Sequence, residues 1–197
     1  RQEYLAEFLD NGSGLFKNIK QSVKTIYPGA KAYAGLDIGR ADDYTVLTIL
    51  DESGQLVYVN RWRHQDWTKI IDSVAQSINS HKATTLIEVN NQGDVFHEML
   101  RDKCRGLIVP FTTTSKTKPM IIEDLALAFE QLEITLQDID WLVDELENFT
   151  YIYNVNTRAV QYSAPIGLHD DGVMSLALAW HCRKTQQNKG RYQIIRA

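Results

Sequence analysis

Residues 32–63, AYAGLDIGRADDYTVLTILDESGQLVYVNRWR, decide the fold. Residues 32–38 form a mostly apolar run that ends on an acid, and 44–50, YTVLTIL, are β-branched and apolar. Both read as buried strands. The turn DESG then leads into QLVYVNRWR, which alternates and reads as a half-exposed third strand, so the segment predicts a three-strand meander. Downstream the pattern changes to strands separated by helices. Trp67, Ile70, Ile71, Val74 and Ile78 recur at helical spacing behind Asp66, a natural N-cap. TTLIEV at 84–89 and GLIVPF at 106–111 read as short buried strands on either side of a helix over 93–104. SKTKPMIIEDLALAFEQLE becomes a helix with Pro119 in its first turn, and ITL at 134–136 reads as a short strand. DIDWLVDELENF is a helix, TYIYNVN and RAVQYSA form a hairpin over about 149–163, and GVMSLALAWHCRK is a largely apolar final helix. A meander beside helix-linked strands predicts an α/β fold, with a mixed sheet of antiparallel and parallel strands flanked by helices.

The chain has 197 residues, of which 44% are hydrophobic and 23% charged, which suits one domain with a single well-buried core. Residues 1–30 carry the turn signals DNGSG and YPG and read as a linker or strap into a domain over 31–197. The opening RQEYLAEF lacks a methionine and a signal peptide, and is expected to be a cut from a longer chain. No stretch approaches the roughly 18 consecutive apolar residues of a membrane span. Cys104 and Cys182 lie far apart with no CxxC spacing, which argues against a disulfide scaffold or a zinc site and fits a reducing compartment.

Lysine plus arginine is 21 against 25 aspartates and glutamates, a net charge of −4. The charge is uneven: no lysine or arginine falls between Pro119 and Thr157, and no acid follows Asp171. A polyanion could use the basic ends, whereas charge runs are more often solvated faces, and the acidic total makes the whole surface no trap for DNA.

The acids carry the chemical signal. Asp37 ends the first strand between Gly35 and Gly39, and Glu88 ends the apolar run LIEV. In open α/β sheets ligands gather at the carboxyl ends of strands. Asp170 and Asp171, in HDD, start the last helix, where negative side chains are favoured. Packing of that helix on the sheet would bring all four carboxylates to one crevice, and they could not all stay ionised without compensation. One or two hard divalent cations, Mg²⁺ by preference, are the natural compensation, and a pair of ions sharing a carboxylate suits phosphodiester hydrolysis. Taken singly, a strand-end Asp is often a turn acceptor, VNNQG can be a simple turn, and HDD can be a helix cap. Asp43 and His169 are candidates for supporting positions behind the ligands. Lys116 and Lys118, ahead of a helix, are candidate phosphate contacts. The four tryptophans read as core or interface. Nothing resembles GxSxG, HExxH or a Walker A motif.

QEYLAEF, GLDIGRADDYTVLTILD, LIEVNNQG, SKTKPMIIEDL and GLHDDGVMSLALAW occur in that order over nearly the whole chain. Together they resemble the nuclease domain of the large terminase subunit of tailed bacteriophages, within the RNase H-like superfamily. The resemblance implies a two-metal endonuclease using two Mg²⁺ or Mn²⁺ ions. It implies that Asp37 bridges the ions, that Glu88 serves one of them, and that Asp171, with Asp170 as alternate or helper, supplies the rest. It further implies a hairpin beside the site with Arg158 at its turn, able to touch DNA. The implied role is cutting concatemeric double-stranded DNA when packaging starts and ends, in the host cell cytoplasm. Implied partners are an upstream ATPase domain of the same polypeptide, the small terminase subunit and the portal protein, with no membrane. Three other readings stay open. GLDIGRADDYTVLTILDESGQLV also looks like the first phosphate motif of the actin-like and sugar-kinase fold. A junction resolvase or integrase would use the same fold, and a non-catalytic docking domain would keep the acids idle.

Overall fold

In a computed structural model the described residues are 14–39, 43–63, 66–90, 93–154, 159–165 and 167–195. A one-turn helix, α1 (Ile19–Ser22), precedes the meander β1 (Ala32–Asp37), β2 (Thr45–Asp51) and β3 (Leu56–Trp62). There follow α2 (Trp67–His81), β4 (Thr84–Glu88), α3 (Gly93–Lys103), β5 (Ile108–Phe111), α4 (Thr117–Glu130) and α5 (Asp140–Asn148). The hairpin β6 (Thr150–Asn154) and β7 (Ala159–Ser163) leads to the long helix α6 (Asp171–Ile195). The main sheet has five strands in the order β3-β2-β1-β4-β5. β1 runs antiparallel to β2 and parallel to β4, β2 antiparallel to β3, and β4 parallel to β5. This is the mixed sheet flanked by helices that the sequence predicts.

Strand alternation divides the side chains between two cores. Ala34, Leu36, Leu47, Ile49 and Ile87 join Ile70, Ile71, Val74 and Ile78 of α2 and Phe96 and Leu100 of α3 on one face. Asp66 caps α2 as expected, its Oδ1 accepting the Thr68 N–H at 2.8 Å. On the other face, Tyr33, Leu50 and Leu86 meet α4, α5 and α6. The strap contributes here, since Leu15, Phe16 and Ile19 are buried in the same core. The predicted strand at 134–136 differs: it makes only single bridges, Thr135 to Gln55 and Leu136 to Val23, because each neighbour meets it for one residue pair.

The seating of α6 is specific. Its residues 171–180 are all buried, with the sheet beneath and α4 and α5 packed against it, as an all-round apolar helix requires. A Cβ at Gly35 would collide with the Ser175 carbonyl and the Ala179 backbone, so glycine is what allows the close approach. Ser175 Oγ donates to the Gly35 carbonyl at 2.9 Å and lies 2.8 Å from Thr48 Oγ1. These bonds fix the helix along the strands, and with it the level of its first turn.

Candidate metal centre

β1 and β4 are parallel neighbours, with Leu36 opposite Ile87, so Asp37 and Glu88 leave the same end of the sheet. Alternation places both on the α6 face, because Leu36 and Ile87 take the other one. The Glu88 carboxyl lies close enough to Asp37 to act on its acidity. Burial raises the Asp37 pKa well above the usual carboxylate range. The charge and hydrogen bond of Glu88 add to this, followed by the charges of Asp171 and Asp170. Asn90 Nδ2 steadies Glu88, donating to Oε1 at 2.7 Å and to the Thr113 carbonyl at 3.0 Å.

Asp171 opens α6 and is 8% exposed. Its Oδ2 accepts the Tyr44 N–H at 2.9 Å and lies 3.6 Å from His169 Nδ1. Burial pushes its pKa up to about 6; the Tyr44 bond and His169 oppose this, while Asp43 and Asp170 reinforce it. Asp170 is half-buried and meets Lys118 Nζ at 3.3 Å. One donor atom each from Asp43, His169 and Asp171 lies within 4.8 Å of the others. The His169 ring stands edge-on to Tyr44, 5.0 Å between centroids.

The four strand-end and helix-start acids thus lie within electrostatic reach of one another, Asp43 and His169 group with Asp171, and Lys118 pairs with Asp170. Lys116 is exposed at the start of α4, its backbone N–H donating to Thr114 Oγ1 at 3.2 Å. Arg158 lies outside the described residues, as does the hairpin turn. The hairpin itself is held to α4 by buried Tyr162, whose hydroxyl is 3.2 Å from Glu123 Oε1.

Sequence reasoning missed a group on α5. Glu145 is 8% exposed, and its Oε2 accepts the Gly172 N–H, next to Asp171, at 2.8 Å. Burial raises its pKa to about 7; the Gly172 N–H and Arg61 pull it down, and Asp171 and Asp170 push it up. Its Oε1 lies 3.7 Å from Arg61 Nη1. The Arg61 guanidinium sits 4.4 Å from the ring centres of both Tyr44 and Trp141, so Trp141 is a stacking surface as well as core. One signal was available: Glu145 lies at helical spacing from Trp141 and beside Leu142 and Leu146, on the inward face of its helix.

The donor set fits hard divalent cations. It consists of carboxylate oxygens crowded at one end of the sheet, with the His169 imidazole grouped with Asp43 and Asp171. Asp37, Glu88 and Asp171 could hold such ions, Asp43 and His169 lie in one group with Asp171, and Asp170 is within electrostatic reach of Asp37.

No protein-family model matches the chain. Aligned over 195 residues it is 28% identical to the large terminase subunit of Thermus virus P23-45, covering 91% of this chain and 40% of that protein. The chain thus spans less than half the length of that relative. Among solved structures, the large terminase nuclease of the thermophilic phage G20c superposes with a TM-score of 0.75 at 23% identity, covering 86% of this chain and 98% of that one. That nuclease has also been crystallised with bound magnesium and with bound cobalt. The nuclease domain of the large terminase subunit gp2 of bacterial virus Sf6 superposes with a TM-score of 0.73 at 9% identity, covering 86% and 99%. The chain is therefore similar in sequence to terminase large subunits, and its fold is that of their nuclease domains.

Proposed function

We propose that this chain is the endonuclease domain of a viral DNA-packaging terminase, hydrolysing phosphodiesters of concatemeric double-stranded DNA when packaging starts and ends. The observation that carries this reading is the meeting of Asp37, Glu88, Asp170 and Asp171 at one sheet end, with Lys118 as the nearby cation. Asp37, Glu88 and Asp171 would hold two Mg²⁺ or Mn²⁺ ions. Bound there, the ions supply positive charge that polarises the phosphodiester and acidifies the attacking water. The chain's own residues do the rest. The Tyr44 N–H holds the Asp171 carboxylate by Oδ2, with His169 Nδ1 3.6 Å from the same oxygen. Asn90 holds one Glu88 oxygen in the same way. Lys118 offsets charge at Asp170 and in this reading meets a phosphate. An ATPase domain of the same polypeptide, the small terminase subunit and the portal are the proposed partners, and the host cytoplasm the proposed place of action. Such partners would supply the local DNA concentration that an acidic domain does not gather alone.

Plasmid nicking tests the reading. The parent should nick supercoiled DNA in Mg²⁺ or Mn²⁺ and not in EDTA. Asp37→Asn should cut below detection with an unchanged or higher melting temperature, since it removes a crowded acid. Equal cutting by both proteins would take Asp37 out of the mechanism.

A further inference from the structure

The strand register extends the acid row to the open edge of the sheet. Val46 on β2 is opposite Asp37 on one side and Arg61 on the other. Arg61, Val46, Asp37 and Glu88 thus form one row on the α6 face. Arg61 sits two strands from Asp37, about 10 Å at the ordinary strand spacing. Its guanidinium is held between two aromatic rings, and Arg63 stacks on one of them, 5.1 Å from the Tyr44 ring centre, with Nη1 3.5 Å from the Tyr44 hydroxyl. Among the described residues Arg63 makes no ion pair, and the nearest carboxylate oxygen to Arg61, at 3.7 Å, is too far for a hydrogen bond.

A structural edge-strand arginine would be free in water or closed on a carboxylate. Here Arg61 is stacked between two rings beside the Glu145 carboxylate, and Arg63 is stacked on Tyr44; among the described residues neither guanidinium is hydrogen-bonded to a carboxylate. Stacking fixes the planar fork in advance, so little side-chain entropy is lost when an anion arrives. Four acids in a crevice also repel the phosphates on either side of the one being cut. A strand lying there needs positive charge along its path. Lys118 provides it on the α4 side, and β3 provides it on the other. We propose that the Arg61–Tyr44–Arg63 stack is a DNA-backbone anchor that grips a phosphate flanking the scissile one and sets the strand across the acid row. This rests on the endonuclease reading and adds where the substrate strand runs.

The test is fluorescence polarisation with a short labelled duplex at low salt in Ca²⁺, with gels checking that the duplex stays whole. Arg63→Ala should weaken binding about five- to tenfold and lower the slope of log affinity against log salt by about one, the signature of one lost phosphate contact. Arg61→Lys keeps the charge and loses the fork, and should weaken binding about threefold or more. Tyr44→Leu removes the platform while keeping the backbone N–H to Asp171, and should act like Arg63→Ala. Calorimetric Mn²⁺ binding and the melting temperature should stay at the parent's values in Arg63→Ala. Parent-like affinity and salt slope in Arg63→Ala and Tyr44→Leu would overturn the anchor, as would a parent that binds no duplex. A parent that nicks plasmid in either case leaves the endonuclease reading standing, so the two failures are separable.

Discussion

The two faces of the five-stranded sheet use the same strands to opposite ends. Toward α2 and α3, β1 and β2 present Ala34, Leu36, Leu47 and Ile49, and the helices meet them with isoleucine, valine and phenylalanine. Toward α6, the same strands offer Gly35 and Thr48, then Asp37, with Arg61 level with Asp37 on β3. The first face gains its free energy from burial alone. The second gives up part of that gain to position a helix and to crowd four carboxylates. Both faces bury an apolar core, but only the α6 face also gathers acidic side chains at one end of the strands.

Substitution on each face should separate the two. Ile71 is fully buried on the apolar face, and Ile71→Ala should cost about 2–5 kcal/mol in denaturant unfolding. The fraction still folded should cut DNA at the parent rate; a folded but inactive Ile71→Ala would mean that the apolar face also shapes the site. Gly35→Ala should cost less, about 1–3 kcal/mol, yet depress nicking strongly, because α6 must lift off the sheet and carry Asp171 with it.

Acidity gives a sharper contrast. Asp171 and Glu145 have pKa values raised to about 6 and about 7 in the fold, from ordinary values of 3.8 and 4.5. Between roughly pH 4 and pH 7 the folded chain therefore holds more protons than the unfolded one, so stability falls as pH rises through that window. In EDTA the melting temperature should be lower at pH 8 than at pH 5, by about 5 °C. Mg²⁺ should raise it more at pH 8 than at pH 5, because cations can replace protons only where protons have left. A Mg²⁺ effect independent of pH would contradict this. At the small end, Ser175→Ala removes two buried hydrogen bonds and should cost about 1 kcal/mol, with a milder loss of nicking than Gly35→Ala.

The same division explains what could be read in advance. Strands, helices and the apolar face follow from periodicity and turn residues, which act locally, and the meander at 32–63 was legible from sequence alone. Asp37, Glu88, Asp170 and Asp171 stood out because acids at the ends of apolar runs conflict with their surroundings. Glu145 and Arg61 did not, because their roles exist only once α5 packs beside the start of α6. In sequence, Glu145 is one of many acids between Pro119 and Thr157, and Arg61 one of two arginines in a half-exposed strand. The bridges at Thr135 and Leu136 were read as a strand because a β-branched, apolar run looks the same whether it has a full partner or one residue of one.

The third element of the acid cluster rides on the last helix of the fold, seated against the first strand through Gly35 and Ser175. A chain emerging from the ribosome carries Asp37 and Glu88 well before Asp171, so those two carboxylates are made without their later neighbour. Completion waits for the final helix to dock. The same contact that closes the core thus also brings Asp171 to the other acids, and a copy whose helix has not docked keeps Asp37 and Glu88 without it.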